Sequence, residues 1–166
     1  MKDQAAQHAR RAAGSQYVVF RLGETLFGVD IHQMLRIVHL KPITRVPRAP
    51  HFLEGVVNQR GQVLPVVDLH KRLALPGAEY GDQARILIVE METQALGMLV
   101  DAVVGIWRLP DEAIQPPPEM VAQVNGVYLT AVARHDDLLI VLLDLTRVLT
   151  VEERENLDTW QTGQRQ

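Results

Sequence analysis

Covalent catalysis needs a nucleophile held on a rigid scaffold. This chain contains a single serine, Ser15, in a polar N-terminal arm, and no cysteine. Its six histidines, at 8, 32, 39, 51, 70 and 135, are scattered. None pairs with another at i, i+4, as a helical zinc site requires, and no glutamate sits where a zinc-bound water would need its base. His32 and His39 stand two turns apart on a helical reading, with Arg36 between them. Asp68 and Asp144 are the carboxylates to weigh for acid–base work. Each precedes a short helical stretch at a matching place, so N-capping is the simpler role. Gly55 and Gly61 are isolated and form no phosphate loop. These residues point to no catalytic set, no metal and no cofactor.

What remains is recognition, and its centre is Gly55 to Leu73, GVVNQRGQVLPVVDLHKRL. Two apolar runs flank a polar knuckle of Asn58, Gln59, Arg60, Gly61 and Gln62, which is a hairpin signal. Gly61 tolerates the positive φ of a tight turn. Pro65 lacks an amide donor, which predicts a sheet edge there. Asp68 ends the second strand and caps a short helix over Leu69–Leu73. The hairpin lifts Arg60, a planar five-donor cation, to an exposed tip. It serves there either as a solvated turn residue or as an anchor for a partner.

The elements that must position this tip are short strands. Tyr17–Leu22 and Thr25–Val29 form a first hairpin. Asp30 caps a predicted helical stretch, Ile31–Val38, and Lys41–Val46 is a predicted strand. A linker-like loop at 75–83 precedes strands at Ile86–Met91, Leu96–Val100 and Val103–Leu109. Val127–Ala133 and Leu138–Leu143 form a further hairpin, followed by a capped helix at Leu145–Leu149. Thr150 and Glu153 form a capping box for a last helix to about Trp160. Residues 1–15 read as a polar arm and 154–166 as a C-terminal helix and tail.

The chain has 166 residues and a net charge of −3. That length suits one domain, or two small units packed closely together. The charge is too mild to imply nucleic acid or a membrane surface, and no apolar run approaches a membrane span. The two halves repeat weakly: residues 131–149 lie over 55–73 without a gap, and 95–103 resemble 26–34. A period near 70 suits two similar β-units, approximately 17–75 and 85–150. Strands and turns at this density predict an all-β fold of barrels or a sandwich. The first half is basic between 36 and 72, with seven Lys or Arg against two Asp or Glu. The stretch 79–112 is acidic, with seven against two. The halves therefore meet different partners, meet each other's complementary faces, or merely carry solvated charge. A nucleic-acid-binding barrel using the basic first half is the alternative. Only Phe52 would serve it as an aromatic platform.

The stretches YVVFRLGETLFGVDI (17–31), PITRVPRAPHFLEGVVNQRGQVLPVVDL (42–69), GMLVDAVVGIWRL (97–109) and LLIVLLDLTRVL (138–149) resemble the CheW-like domain family over about 16–153. The resemblance implies two small five-stranded barrels around a shared core. It implies a cytoplasmic, non-enzymatic adaptor held at membrane receptor arrays through its partners. Those partners are the cytoplasmic tip of methyl-accepting chemoreceptors and the regulatory domain of a CheA-type histidine kinase. No nucleic acid and no direct membrane insertion are implied. Asn58, Arg60 and Gly61 match the family's receptor-contacting turn. Met34 and Arg36 fall at contact positions on the first helical stretch, and Val104 and Ile106 line the opposite side of the groove. Core packing is the other reading of Met34, Val104 and Ile106. Two departures stand out: Arg36 where many relatives have glutamate, and Gln59 where the knuckle usually has leucine. They point to a receptor or kinase outside the main flagellar set, such as a pilus-motility or auxiliary system.

Overall fold

The structure, a computed structural model, describes residues 14–76, 80–91, 94–119, 128–150 and 152–156. Among these residues eleven strands run in chain order. They are β1 (Ser15–Leu22), β2 (Thr25–Asp30), β3 (Met34–His39), β4 (Leu53–Gln59), β5 (Gln62–Asp68) and β6 (Arg85–Glu90), then β7 (Ala95–Val100), β8 (Ala102–Leu109), β9 (Ile114–Gln115), β10 (Leu129–His135) and β11 (Leu138–Leu143). An α-turn, α1 (Leu69–Arg72), follows β5, helical residues lie at 152–156, and 3-10 turns cover Ile31–Gln33, Asp111–Ala113 and Leu145–Arg147. The strands form a six-stranded sheet in the order β8-β1-β2-β11-β10-β9 and a five-stranded sheet in the order β3-β6-β7-β5-β4.

Alternation along the strands divides the apolar residues among three cores, because successive side chains leave opposite faces. β1 sends Val18, Phe20 and Leu22 to the core between the sheets and Val19 into the concavity of its own sheet. β6 does the same with Leu87 and Val89 against Ile86 and Ile88. β1, β2, β5, β6 and β7 are therefore buried on both faces over much of their length, which explains their near-continuous apolar runs. Each large side chain so buried contributes on the order of 1.5–3 kcal/mol.

The expected barrels are sheets that curl without a closing ladder. In the five-stranded sheet the chain leaving edge strand β3 reaches the other edge at Thr44, which makes a single bridge with Val56. In the six-stranded sheet the chain leaving β8 reaches β10 through β9. The chain itself spans each seam, so few edge groups stay open to stray pairing.

The sheets do not divide the chain at the 75–83 loop. Position for position, β8, β1, β2, β11, β10 and β9 correspond to β3, β6, β7, β5, β4 and Thr44. The parallel pairings match too: Leu142 faces Gly28 and Val66 faces Gly97. Each sheet takes its first hairpin from one half and its other strands from the other half.

Several local expectations change. Ile31–Val38 is a one-turn 3-10 segment followed by strand β3, not a helix. Its apolar spacing fits a helix face, but β3 needs no single buried face because it lies at a sheet edge. Lys41–Val46 contributes only the Thr44 bridge. Pro65 lies on an interior strand. The ladder to β7 begins at Val66, so the missing donor breaks no bond there. The turn after β11 is a 3-10 segment, with Asp144 accepting from the Thr146 amide at 3.0 Å. Ser15 belongs to β1 rather than to the arm. Thr150 and Glu153 exchange the reciprocal capping-box bonds at 2.8 and 3.1 Å. The rest of the arm, at 1–13, and the tail at 157–166 lie outside the described residues.

Candidate functional site

The knuckle is a two-residue turn in which Arg60 (φ 52°) and Gly61 (φ 83°) are both left-handed. Gln59 pairs with Gln62 across its base. Two positive φ values make it the primed turn whose twist matches a hairpin. Asn58 locks it by accepting the Gly61 N–H through Oδ1 at 2.9 Å. Lys41 donates its Nζ to the Gln59 side chain, bracing the knuckle from the segment after β3.

Beside the turn lies a groove of about 1100 Å³. Its floor includes Val56, Leu64, Ile88 and Ala95, and its walls include Leu35 and Val63. Arg36, Arg45 and Arg60 all line it, with Gln59, Gln62 and Gln94. Among the described residues the lining contains no carboxylate and no aromatic ring. Leu35 and Val63 are 55% and 63% exposed.

The sequence-derived positions separate here. Arg36, Arg60 and Gly61 meet in the groove, with Asn58 holding the turn. Met34 is half-buried and packs against the core between the sheets. Val104 and Ile106 are not among the groove-lining residues. They lie on edge strand β8 of the other sheet, 45% and 52% exposed, which rules out the core-packing reading for that pair. Sequence reasoning passed over Leu35, Arg45 and Val63. Leu35 was hidden by the helical reading of its segment. Val63 was legible as the apolar residue nearest the turn on β5.

A polar network lies at the end of the β4–β5 hairpin opposite the turn. Asp68 accepts the His70 amide at 2.9 Å and the Tyr80 hydroxyl at 2.7 Å. Burial, with the Asp68 hydrogen bond and charge beside it, pushes the Tyr80 phenol far above its usual range. His70 sets Nδ1 against the Pro76 carbonyl at 3.0 Å and Nε2 against Asp101 Oδ2 at 2.9 Å. The same Asp101 oxygen accepts the Gly23 N–H at 2.6 Å, tying α1 to the turns β1–β2 and β7–β8 across both sheets. Arg72 donates to the Val148 carbonyl at 2.7 Å and to Glu153 at 2.8 Å, and lies over the Phe52 ring.

Among the described residues no three His, Asp or Glu side chains gather as a metal site. No helix among them is long and apolar enough to cross a membrane. The arrangement presents donors and apolar surface to another molecule.

Residues 16–153 match the family model described as the CheW-like domain. The chain is 34% identical over 151 residues to the chemotaxis protein CheW of Rhizobium meliloti, covering 91% of this chain and 97% of that one. It is 31% identical to the chemotaxis protein CheW of Treponema pallidum, covering 86% of each. The crystal structure of the scaffolding protein TtCheW from Thermoanaerobacter tengcongensis superimposes with a TM-score of 0.76 at 34% identity, covering 84% of this chain and 95% of that one.

Proposed function

We infer the function from one premise: this chain belongs to the CheW-like domain family. It is a scaffolding and coupling protein of a bacterial chemosensory system, and its chemistry is binding. It turns over no substrate. It joins the cytoplasmic tip of chemoreceptors to the regulatory domain of a CheA-type histidine kinase, on the cytoplasmic side of a receptor array. Individually weak contacts suffice there, because the array supplies avidity.

The observation that carries the reading at residue level is the knuckle. A guanidinium stands in a left-handed turn at the lip of an apolar groove, where no fold-stabilising partner claims it among the described residues. Arg60 is the receptor anchor, Asn58 and Gly61 hold it, and Arg36 lines the same face. Met34 backs β3 from the core. Val104 and Ile106 offer a second exposed strip on β8, which fits a contact with the other side of the partner.

Co-purification from the source cell tests the class. Recovery of a histidine kinase and a coiled-coil receptor is the expected result, and recovery of neither rejects the adaptor role. Titration with the receptor tip tests the anchor. Arg60→Ala weakens binding by about 1–3 kcal/mol, the usual cost of truncating an interface arginine. An unchanged affinity would remove Arg60 from the interface.

A further inference from the structure

We propose that the groove selects a receptor tip bearing carboxylates beside an apolar ridge, and that Arg36 is the residue making that selection. The identity of the partner rests on the adaptor reading; its charge rests on the groove alone.

Three guanidinium groups, Arg36, Arg45 and Arg60, line one groove that contains no carboxylate among the described residues. Arg36 and Arg60 have no acidic partner among the described residues, and Arg45 reaches only Glu54, at 3.9 Å. Like charges gathered on one rim repel, and water and salt screen them only in part while the groove is open. A docked surface removes that water. A basic partner would then face three unscreened cations, and a neutral one would strip them of hydration without replacing it. Carboxylates answer both costs, with the forked geometry that guanidinium favours. The floor of Leu64 and Ile88 asks the same partner for an apolar ridge. The absence of aromatic lining argues against single-stranded nucleic acid, which binds by stacking its bases.

Arg36 is the discriminating member. Arg60 belongs to the turn and Arg45 is partly answered by Glu54, whereas Arg36 stands on edge strand β3 and its side chain holds no hydrogen bond or ion pair among the described residues. Changing it alters which partner fits and leaves the fold alone.

The test is titration of the full chain with the receptor-tip fragment at low and physiological salt. Arg36→Glu is expected to weaken binding about tenfold or more, and Arg36→Gln less, with the gap shrinking as salt rises. Reversing the facing carboxylate on the tip should restore binding to Arg36→Glu and weaken it to the unaltered chain. Circular dichroism checks that the variants stay folded. If Arg36→Glu binds like the unaltered chain while Arg60→Ala does not, the charge selection is wrong and the adaptor reading stands. If the unaltered chain binds no tip, the adaptor reading fails. The groove is then probed in the source cell with a photo-crosslinking residue at Val63. A captured segment with carboxylates beside apolar residues upholds the selection; a neutral or basic segment, or no capture, overturns it.

Discussion

Arg60 breaks a local rule. A side chain at φ 52° costs about 1–2 kcal/mol, and the neighbouring Gly61, at φ 83°, bears no such cost. The hairpin it closes returns part of that cost, but the Arg60 side chain itself makes no hydrogen bond among the described residues. Such strain concentrates where a partner uses it. Arg60→Gly should therefore leave stability unchanged or raise it by up to about 1 kcal/mol, after the entropy of an added glycine is counted. The same change should abolish the contribution to receptor binding proposed for Arg60. Urea unfolding and a tip titration on one sample separate the two effects. A large loss of stability would mean that Arg60 holds the hairpin together. Gly55 shows the opposite case: a Cβ there would sit 2.3 Å from the Thr44 carbonyl oxygen, on the one bridge that spans the seam of its sheet. Gly55→Ala should cost at least about 2 kcal/mol, read from the shift of the urea midpoint, and should loosen the groove wall formed by 44–47.

The capped hairpin β4-β5-α1 carries the knuckle at one end, and the Asp68 network and the tie to the C-terminal segment at the other. Much of it was legible in the sequence. The knuckle's Gly61 and the Asp68 cap are local turn chemistry, and Asp68 bonds the His70 amide as an N-cap should. β3 was not legible. Its apolar residues suit a helix face because an edge strand that offers Leu35 and Ile37 to solvent has no burial alternation to reveal it. The same exposure hid the groove wall. The Asp68–Tyr80 bond was invisible as well, since it joins residues twelve apart through a loop with no periodic signal. That bond gives the element a pH signature. Tyr80 ordinarily ionises near 10.0 and is held far above that in the fold. The unfolded chain therefore loses its phenol proton first. The stability Tyr80 contributes is complete below about pH 10 and falls as pH rises beyond it. Tyr80→Phe should cost about 1–2 kcal/mol near neutrality for the lost hydrogen bond. Its deficit against the unaltered chain should shrink between about pH 8 and about pH 11 in urea titrations. A deficit constant across that range would mean that the phenol is free to ionise in the fold.

At the scale of the whole molecule, the repeat and the sheets disagree about where the chain divides, and the disagreement has a thermodynamic consequence. The units 17–75 and 85–150 are similar in sequence, yet β1 and β2 pair with β8 and β11, while β6 and β7 pair with β3 and β5. A first half alone would hold two hairpins and a stray edge strand, with β2 and β5 each missing the parallel neighbour that the other half provides. The core between the sheets would be cut as well, since Phe20 and Val67 come from one half and Leu87, Met98 and Leu145 from the other. Losing several fully buried side chains of this kind exceeds the roughly 5–15 kcal/mol by which a domain of this size is stable. A cut in the 75–83 loop breaks none of those pairings, because its described residues, 75, 76 and 80–83, belong to neither sheet. Each fragment expressed alone should lack a cooperative unfolding transition. The two mixed should recover one, together with binding to the receptor tip. Calorimetry on the separate and mixed fragments decides the point. A cooperative melt from either half alone would mean that one sheet completes itself within a single repeat, and the exchanged strands would then not be what holds the adaptor's two faces at a fixed angle.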